Sequence, residues 1–159
     1  MTEPTVLELP DEQATEALGA ALGQACSAGG VIHLVGDLGV GKTTLARGLM
    51  HALGHEGAVR SPTFTLVEPY EALSPKVYHF DLYRLGDPEE LEMMGIRDYM
   101  EEGALVVIEW PERAGGVLPA PECRVELSDA GSGRSARIHT NDRIAGAARQ
   151  ALAGRSSSQ

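Results

Sequence analysis

The segment GDLGVGKT, at residues 36–43, fits the pattern G-x-x-x-x-G-K-[ST] that is typical of phosphate-binding loops. The residues before it, Val31 to Val35, are mostly apolar and β-branched, which predicts a buried strand. The residues after it, Thr44 to Leu53, carry apolar side chains at helical spacing and are followed by Gly54, a typical helix end. A strand, a glycine-rich loop and a helix in this order predict a phosphate-binding unit.

The residue types in this loop indicate how it would hold a nucleotide. Glycines allow the backbone to curl so that successive N–H groups point at anionic oxygens, and the helix N-terminus adds partial positive charge. Lys42 would reach the β- and γ-phosphates, and the Thr43 hydroxyl would ligate magnesium. The alternative is a glycine-rich turn with a chance lysine, which the two matching flanks disfavour. The chain contains no N-K-x-D motif for reading guanine, so ATP is favoured over GTP.

The composition is that of a globular protein and argues against a stand-alone nucleic-acid binder. With 159 residues, 43% of them hydrophobic, we expect one domain with its own core. Lys and Arg number 13 against 23 Asp and Glu, so the formal net charge is -10. Nucleic-acid phosphates require clustered Lys and Arg, so any RNA would be held mainly by a partner.

Compartment is predicted from the cysteines and from the absence of membrane signals in the sequence. Cys26 and Cys123 lie far apart with no C-x-x-C spacing, which predicts two buried thiols in a reducing cytosol. No apolar run approaches a membrane span, and no basic-then-apolar leader is present at the N-terminus. We expect a cytoplasmic protein.

Apolar strands alternating with helices predict an α/β fold, a P-loop NTPase-like sheet with helices on both faces. We expect a mostly parallel core, with short alternating strands near both chain ends as antiparallel edges. The predicted strands are 5–9, 31–35, 66–70, 104–108, 123–127 and 135–140, together with a strand that begins at 76 and runs out into a loop by 85. The strands 123–127 and 135–140 form a hairpin with its turn at 128–133. Helices are predicted from Pro10 up to an end at Gly29 and Gly30, over 44–53, from Asp87 to an interruption at Gly95, over 96–102 and over 141–153, followed by a frayed tail at 154–159.

Two acids at predicted strand ends are candidates for the metal site and the hydrolytic step. Glu109 follows the unbroken apolar strand 104–108, the Walker-B arrangement, in which the strand end lies beside the phosphate-binding loop. Asp81 lies at or just past the end of another strand, where it could orient the attacking water or contact magnesium through water. Both residues have simpler interpretations: Glu109 as an ordinary polar strand end, and Asp81 as a turn aspartate capping local backbone.

Several other polar and aromatic residues have two interpretations each. Ser61 and Thr63 lie on a short loop that could close over the γ-phosphate as a switch, or could be plain turn residues. Trp110, beside Glu109, either packs next to the nucleotide or belongs to a core or interface. His33, on a buried strand, is predicted to be a core histidine, and the role of His79 is ambiguous.

Four segments, taken together, resemble the TsaE (YjeE) family of small bacterial P-loop ATPases. They are GDLGVGKTTLARGL (36–49), SPTFTLVEPY (61–70), HFDLYRL (79–85) and IEWPER (108–113). Their order and spacing agree with the family, and the resemblance covers about residues 5–140. Residues 141–159 match no family signature.

The resemblance implies a set of site residues. Lys42, Asp81 and Glu109 would be catalytic, with magnesium at Thr43 and Glu109 and with Asp81 supporting the metal or the water. The nucleotide-binding candidates of the loop are Asp37, Leu38, Gly39, Val40, Gly41, Lys42, Thr43 and Thr44. Ser61 and Thr63 would form the switch-like segment. Adenine would lie between the start of the first helix, at Asp11 to Thr15, and the C-terminal hairpin at Arg134.

The resemblance also implies a function. The family's pathway places threonylcarbamoyl on the tRNA adenosine next to the anticodon, and its members use ATP and Mg²⁺. This chain would join a heterodimer of TsaB and the catalytic subunit TsaD and reset it between turnovers, contacting tRNA only through that complex. Hydrolysis by the chain alone would be slow, because no arginine is obviously placed over the phosphates; possible substitutes are Arg60, Arg84 and Arg113.

Two other functions remain as alternatives. A small-molecule kinase usually needs a lid and several arginines around the transferred group, and no long inserted segment of that kind is present. The other alternative is a binding module, in which bound ATP organises an interface and hydrolysis is incidental.

Overall fold

The computed structural model describes residues 3–100 and 103–157. The strands are β1 (Thr5–Leu9), β2 (Gly30–Val35), β3 (Val67–Tyr70), β4 (Val77–Asp81), β5 (Leu105–Glu109), β6 (Cys123–Ala130) and β7 (Gly133–Thr140). The helices are α1 (Glu12–Ala25), α2 (Lys42–Ala52), α3 (Glu89–Met93), α4 (Ile96–Tyr99) and α5 (Asp142–Ser157), with a short 3₁₀ helix at Pro111–Ala114.

The described strands form one mixed sheet in the order β1-β7-β6-β2-β5-β4-β3. Its centre is parallel, because β2 pairs in parallel with β5 and β6, and β4 pairs in parallel with β5. Its edges are antiparallel: β3 pairs with β4 on one side, and β7 and β1 follow β6 on the other. The predicted α/β fold, with a parallel core and antiparallel edges, is confirmed.

Successive residues of the central strands divide between the two faces of the sheet, as strand geometry requires. On one face, Ile32, Leu34, Val77 and Val107 pack in a core with α1, α2 and α5. On the other, Val31, Phe80 and Ile108 pack with Leu91 of α3 and Ile96 of α4. This alternation decides which polar strand residues lie on the same side of the sheet as the phosphate-binding loop.

Helices α1 and α2 approach each other closely through glycines. A Cβ atom placed on Gly19 would lie 2.0 Å from the Leu45 carbonyl oxygen, and one on Gly48 would lie 2.2 Å from the Glu16 carbonyl oxygen. Beside this contact, Arg47 donates to the Glu16 carboxylate at 3.0 Å. The close packing joins the helix that begins at Lys42 to the helix whose start borders the site.

Several predicted boundaries differ from the structure by a few residues. Helix α2 begins at Lys42, two residues before the predicted start, because the loop passes directly into the helix. Strand β4 ends at Asp81, as expected for a strand that runs out into a loop, and a turn closed by the Leu85 N–H and the Leu82 carbonyl follows it. The hairpin turn is shorter than predicted and consists of Gly131 and Ser132, with Gly131 at a φ of 72°.

The frayed tail predicted at 154–159 is wrong for its first part, because α5 continues to Ser157. The helix is held against the body of the protein: the Arg143 guanidinium donates to the Ala25 carbonyl at 2.7 Å, and Arg155 donates to Asp11 at 3.2 Å. The last two residues of that tail lie outside the described residues. So do Glu101 and Glu102, the end of the helix predicted over 96–102.

Both cysteines are buried, and neither forms a disulfide. Burial raises the pKa of the Cys123 thiol to about 12, which leaves it unreactive as a nucleophile. Across residues 3–100 and 103–157, no helix combines the length and apolar character that crossing a membrane demands.

Candidate active site

The glycine-rich loop connects the end of β2 to the first turn of α2. Gly39 has a φ of 81° and Gly41 a φ of 107°, values that a residue with a Cβ rarely adopts. Gly41 is also the N-cap of α2, and no side chain caps the N–H groups of that helix end. Uncapped N–H groups at the start of an 11-residue helix form an anion-binding position.

Lys42, the first residue of α2, is almost fully buried at the mouth of this loop. Its ammonium group donates to the carbonyl of Gly36 and lies 3.9 Å from the centroid of the Trp110 ring. Burial lowers the pKa of Lys42, while the nearby carboxylates of Glu109 and Asp81 act in the opposite direction. The amine therefore lies between its own loop and the acids, close to where the loop would hold phosphates.

The two acids lie side by side at the carboxyl ends of parallel strands. Asp81 is paired in register with Glu109 across β4 and β5, and both residues are almost fully buried. The Tyr83 N–H donates to Asp81 Oδ1 at 2.9 Å. Asp81 is thus a turn aspartate that caps local backbone and also a member of the polar cluster, so the two interpretations of this residue are compatible.

Hydroxyl groups of the loop before β3 contact both acids. The Ser61 hydroxyl donates to Asp81 Oδ2 and lies 3.2 Å from Glu109 Oε2, and Thr63 donates to Asp81 Oδ2 at 3.0 Å. The residue that follows, Phe64, is 82% exposed. Consequently one short loop joins the buried acids to a large apolar side chain at the surface.

Trp110 and His79 also contribute to this region. Trp110 has a φ of 58°, and its ring lies 5.0 Å from that of Tyr83. His79 is fully buried, and its Nε2 lies 2.7 Å from Glu109 Oε2. The structure therefore locates Trp110 beside Lys42, and His79 beside an acid and not in a purely apolar core.

The opposite end of the site lies between the start of α1 and the β6–β7 hairpin. Arg134 donates to the carbonyls of Val40 and Gly39 at 3.1 and 3.3 Å, and it pairs with Asp129 at 3.0 Å. Asp11 is the N-cap of α1, where it accepts the Ala14 N–H at 2.8 Å. Arg134 therefore braces the glycine-rich loop from a strand that is distant in sequence.

These parts surround one cavity of about 480 Å³, within the size range of small-molecule sites. The predicted site residues that line it are Asp11, Leu38, Gly39, Val40, Gly41, Lys42, Thr43, Thr44, Ser61, Thr63, Asp81, Glu109 and Arg134. Asp37 is exposed and is not part of the lining. Leu9, Pro10 and Ser132 also line the cavity and were not predicted as site residues. They could have been inferred from the sequence, because they lie within two positions of the predicted site residues Asp11 and Arg134.

The three arginines considered as substitutes for an arginine finger do not line the cavity. The Arg84 guanidinium lies over the Phe64 ring at 4.4 Å, and that of Arg113 lies 5.3 Å from the Tyr83 ring. Arg60 is exposed on the loop before Ser61. The positive side chains that border the cavity are Lys42 and Arg134.

His33 lies on β2, and its neighbours Val31 and Val35 share its side of the strand. It is 7% exposed, and its Nε2 has no hydrogen-bond partner in the part of the chain that the structure describes. Burial lowers the pKa of His33 to about 4, with Arg124 acting in the same direction and Glu112 in the opposite one. His33 is buried, as expected for a core histidine, but the expectation that its ring would be satisfied by hydrogen bonds is wrong for Nε2 within the described residues.

Comparison with known proteins gives a consistent family match. Residues 9–137 match the family model described as threonylcarbamoyl adenosine biosynthesis protein TsaE. A relative from Haemophilus influenzae, named tRNA threonylcarbamoyladenosine biosynthesis protein TsaE, is 54% identical over 97 residues, which span 61% of each chain. A relative of the same name from Nostoc sp. is 43% identical over 69% of this chain and 69% of its own. Another from Rickettsia felis is 37% identical over 77% of this chain and 71% of its own.

A solved structure shares the fold. The crystal structure titled Bacillus subtilus YdiB is 23% identical, with a TM-score of 0.73 and coverage of 95% of each chain. Because both chains are covered almost completely, the likeness is one of the whole fold and not of the glycine-rich loop alone.

Proposed function

Because the chain belongs to the TsaE family of threonylcarbamoyl adenosine biosynthesis proteins, we propose that it is the ATP-binding and slowly ATP-hydrolysing subunit of the complex that forms threonylcarbamoyladenosine in tRNA. The observation that carries the ATPase part is the single cavity in which an uncapped helix N-terminus, Lys42 and two buried carboxylates meet. Phosphate binding needs the first two features, and hydrolysis also needs the third.

In this proposal the glycine-rich loop holds the β- and γ-phosphates against the first turn of α2. Lys42 leaves the Gly36 carbonyl and contacts the phosphate oxygens, which are stronger acceptors because they are charged. Arg134 keeps the loop curled through its bonds to the Gly39 and Val40 carbonyls. The adenine lies toward Asp11 and Arg134, at the end of the cavity away from the acids.

The side chains near the proposed metal position suit magnesium. Thr43, Asp81 and Glu109 line the same cavity and offer hard oxygen donors. Within the described residues, no three His, Cys, Asp or Glu side chains form a metal-binding group. That arrangement suits an ion that takes most of its ligands from phosphate and water. When bound, magnesium would neutralise charge that develops on the phosphate oxygens.

Hydrolysis requires a water molecule in line with the bond between the γ-phosphorus and the β–γ bridging oxygen. In our proposal Asp81 orients that water, a new P–O bond forms, the bridging bond breaks, and ADP and inorganic phosphate result. The reaction is slow without partners, because Arg60, Arg84 and Arg113 do not line the cavity. A TsaB–TsaD heterodimer supplies or positions the missing stabilisation.

The proposed partner contact follows from the loop that carries Ser61 and Thr63. Its hydroxyls bind the acids, while Phe64 is 82% exposed, so a change at the metal site alters the surface presented to TsaB–TsaD. The net charge of -10 supports a complex in which tRNA is held mainly by the other subunits. ATP hydrolysis then releases the contact and resets the heterodimer for another turnover.

The decisive experiment measures ATP hydrolysis by the purified chain with and without TsaB–TsaD. We expect slow hydrolysis alone, stimulation by the heterodimer, and loss of both in Lys42→Ala. If TsaB–TsaD does not change the hydrolysis rate of the wild type, the proposed role in the pathway is refuted, and only the proposed nucleotide binding remains.

A second measurement separates a hydrolytic reset from a structural role for ATP. Glu109→Gln and Asp81→Asn are compared with the wild type for the number of tRNA modifications made per complex. We expect both variants to bind ATP and to stop after about one round. Continued turnover by a variant that cannot hydrolyse ATP would show that ATP only organises an interface.

A further inference from the structure

We propose that His79 is a positioning residue for Glu109, fixing one oxygen of that carboxylate so that the other remains available to the metal. The inference rests on the proposed function, because it concerns how Glu109 performs its task there. The neighbouring acid Asp81 already has an obvious positioning group in the Tyr83 N–H, whereas Glu109 lacks such a backbone donor among the described contacts.

Strand register brings His79 and Glu109 to the same side of the sheet. β4 and β5 run parallel, with His79 beside Val107 and Asp81 beside Glu109. Because side chains alternate along a strand, His79, Asp81 and Glu109 share the face that packs against α1 and α2. His79 is therefore two residues before the level of Asp81 and Glu109 on the same face, within hydrogen-bond distance of the Glu109 carboxylate.

The hydrogen bonds of the ring are directed at Glu109 alone. His79 is fully buried, its Nε2 lies 2.7 Å from Glu109 Oε2, and its Nδ1 has no partner among the described residues. A buried ring with one unpaired nitrogen costs stability, and an aliphatic side chain would fill the same space without leaving a nitrogen unpaired. Packing alone thus leaves the choice of histidine unexplained, while the contact with Glu109 explains it.

The carboxylate contacts show what this bond controls. The His79 ring lies at Oε2 of Glu109, and so does the Ser61 hydroxyl, whose proton goes to Asp81. Oε1 is thereby left for a ligand in the cavity that Glu109 lines. Ser61 belongs to the switch-like loop, but His79 belongs to a central strand, so its contact persists when the loop changes position. Groups that orient a metal-ligating side chain in this way commonly affect metal affinity.

The chain contains a matched control in His33. It is also buried on a central strand and also has one ring nitrogen without a described partner. His33 lies on the opposite face of the sheet from Glu109. It shares its side of β2 with Val31, and Val31 belongs to the same apolar cluster as Phe80 and Ile108. Replacement of His33 thus repeats the loss of a buried histidine without touching the carboxylate.

The test measures binding of ADP by calorimetry over a series of Mg²⁺ concentrations. We compare the wild type with His79→Leu, His79→Asn, His79→Gln and His33→Leu. Glutamine places an N–H donor near the position of Nε2, whereas the asparagine side chain is one methylene shorter and does not reach Glu109. Thermal unfolding shows whether each variant is folded. If His79→Leu does not fold, the comparison of His79→Asn with His79→Gln still tests the proposal.

We expect the half-saturating Mg²⁺ concentration to rise ~10-fold in His79→Leu and His79→Asn, as is typical when a group behind a metal ligand is removed. His79→Gln and His33→Leu should stay close to the wild type, and ADP binding in EDTA should be unchanged in all variants. Wild-type magnesium dependence in His79→Asn would overturn the positioning role and leave the proposed function intact. Absence of magnesium-linked binding in the wild type would overturn both.

Discussion

Gly48→Ala tests whether the close approach of α1 and α2 is as tight as the structure indicates. The added methyl group would lie 2.2 Å from the Glu16 carbonyl oxygen and 2.7 Å from the Glu16 Cα. Both atoms belong to the backbone of α1, so they cannot move aside as a flexible side chain could. The helices must separate, or the methyl group must strain the backbone that carries it.

The size of the effect is a difference between two opposing terms. Forcing a methyl group into a packed contact costs ~1–3 kcal/mol or more, and the backbone overlap at Gly48 favours the upper end of that range. Replacing glycine by alanine inside a helix contributes ~1 kcal/mol in the favourable direction. The net result is a loss of ~2 kcal/mol, which lowers the melting temperature by ~4–8 °C in a chain of this size.

The control is Gly146→Ala in α5, where a Cβ would have no atom within 4 Å. Only the helix-propensity term applies there, so this variant should gain ~0.5–1 kcal/mol and melt ~1–4 °C higher than the wild type. Urea and thermal unfolding of both variants at one protein concentration measure the difference. The reasoning about the α1–α2 contact is refuted if Gly48→Ala is as stable as the wild type while Gly146→Ala shows its expected gain.

Three further predictions follow from single contacts. Arg134→Ala removes the charged bonds to the Gly39 and Val40 carbonyls, so ADP should bind ~10-fold more weakly by calorimetry, and an unchanged Kd would show that the brace is unnecessary. The pKa of His33, about 4 when folded, lies below its usual ~6.5, so the unfolded chain binds the extra proton and stability falls as pH decreases between these values. When the pH is lowered from 7 to 4.5, the free energy of unfolding of His33→Leu should therefore fall by ~2–3 kcal/mol less than that of the wild type, as measured by urea titrations. The prediction is contradicted if the free energies of unfolding of the two proteins change in parallel with pH. Under the proposed function, Phe64→Ala should keep the intrinsic ATPase rate but need ~10-fold more TsaB–TsaD for half-maximal stimulation, whereas an unchanged requirement would exclude this side chain from the proposed contact.

Local sequence determined the parts of the site whose geometry depends on neighbouring residues. The glycine-rich loop is set by glycines at positive φ and by the strand and helix that flank it, all within about 25 residues of sequence. The acids could be predicted in part for a related reason: parallel strands end at one edge of a sheet, so Asp81 and Glu109 were expected at that edge once their strands were recognised. Their contact level was set by the pairing of β4 with β5. The hydrophobic pattern likewise predicted the sheet and its antiparallel edges.

Contacts between distant segments were decided only in the tertiary structure. The hold of Arg134 on the Gly39 and Val40 carbonyls joins residues about 94 positions apart, and no local pattern encodes it. The extension of α5 to Ser157 depends on its packing against α1 and on the pair between Arg155 and Asp11. Helix ends of this kind are fixed by the surface against which they pack, which the sequence of the helix does not contain.

The two buried histidines, His33 and His79, separate what the sequence determined from what only the pairing of strands determined. The sequence determined that both His33 and His79 lie on strands of the central sheet, because apolar runs surround them. It did not determine which face each would share, because that depends on the register between strands. Only the pairing of β4 with β5 puts His79 against Glu109, while His33 lies on the other face among apolar neighbours. A shift of one residue in register exchanges the two faces, so the same sequence pattern is compatible with either arrangement until the strands are paired.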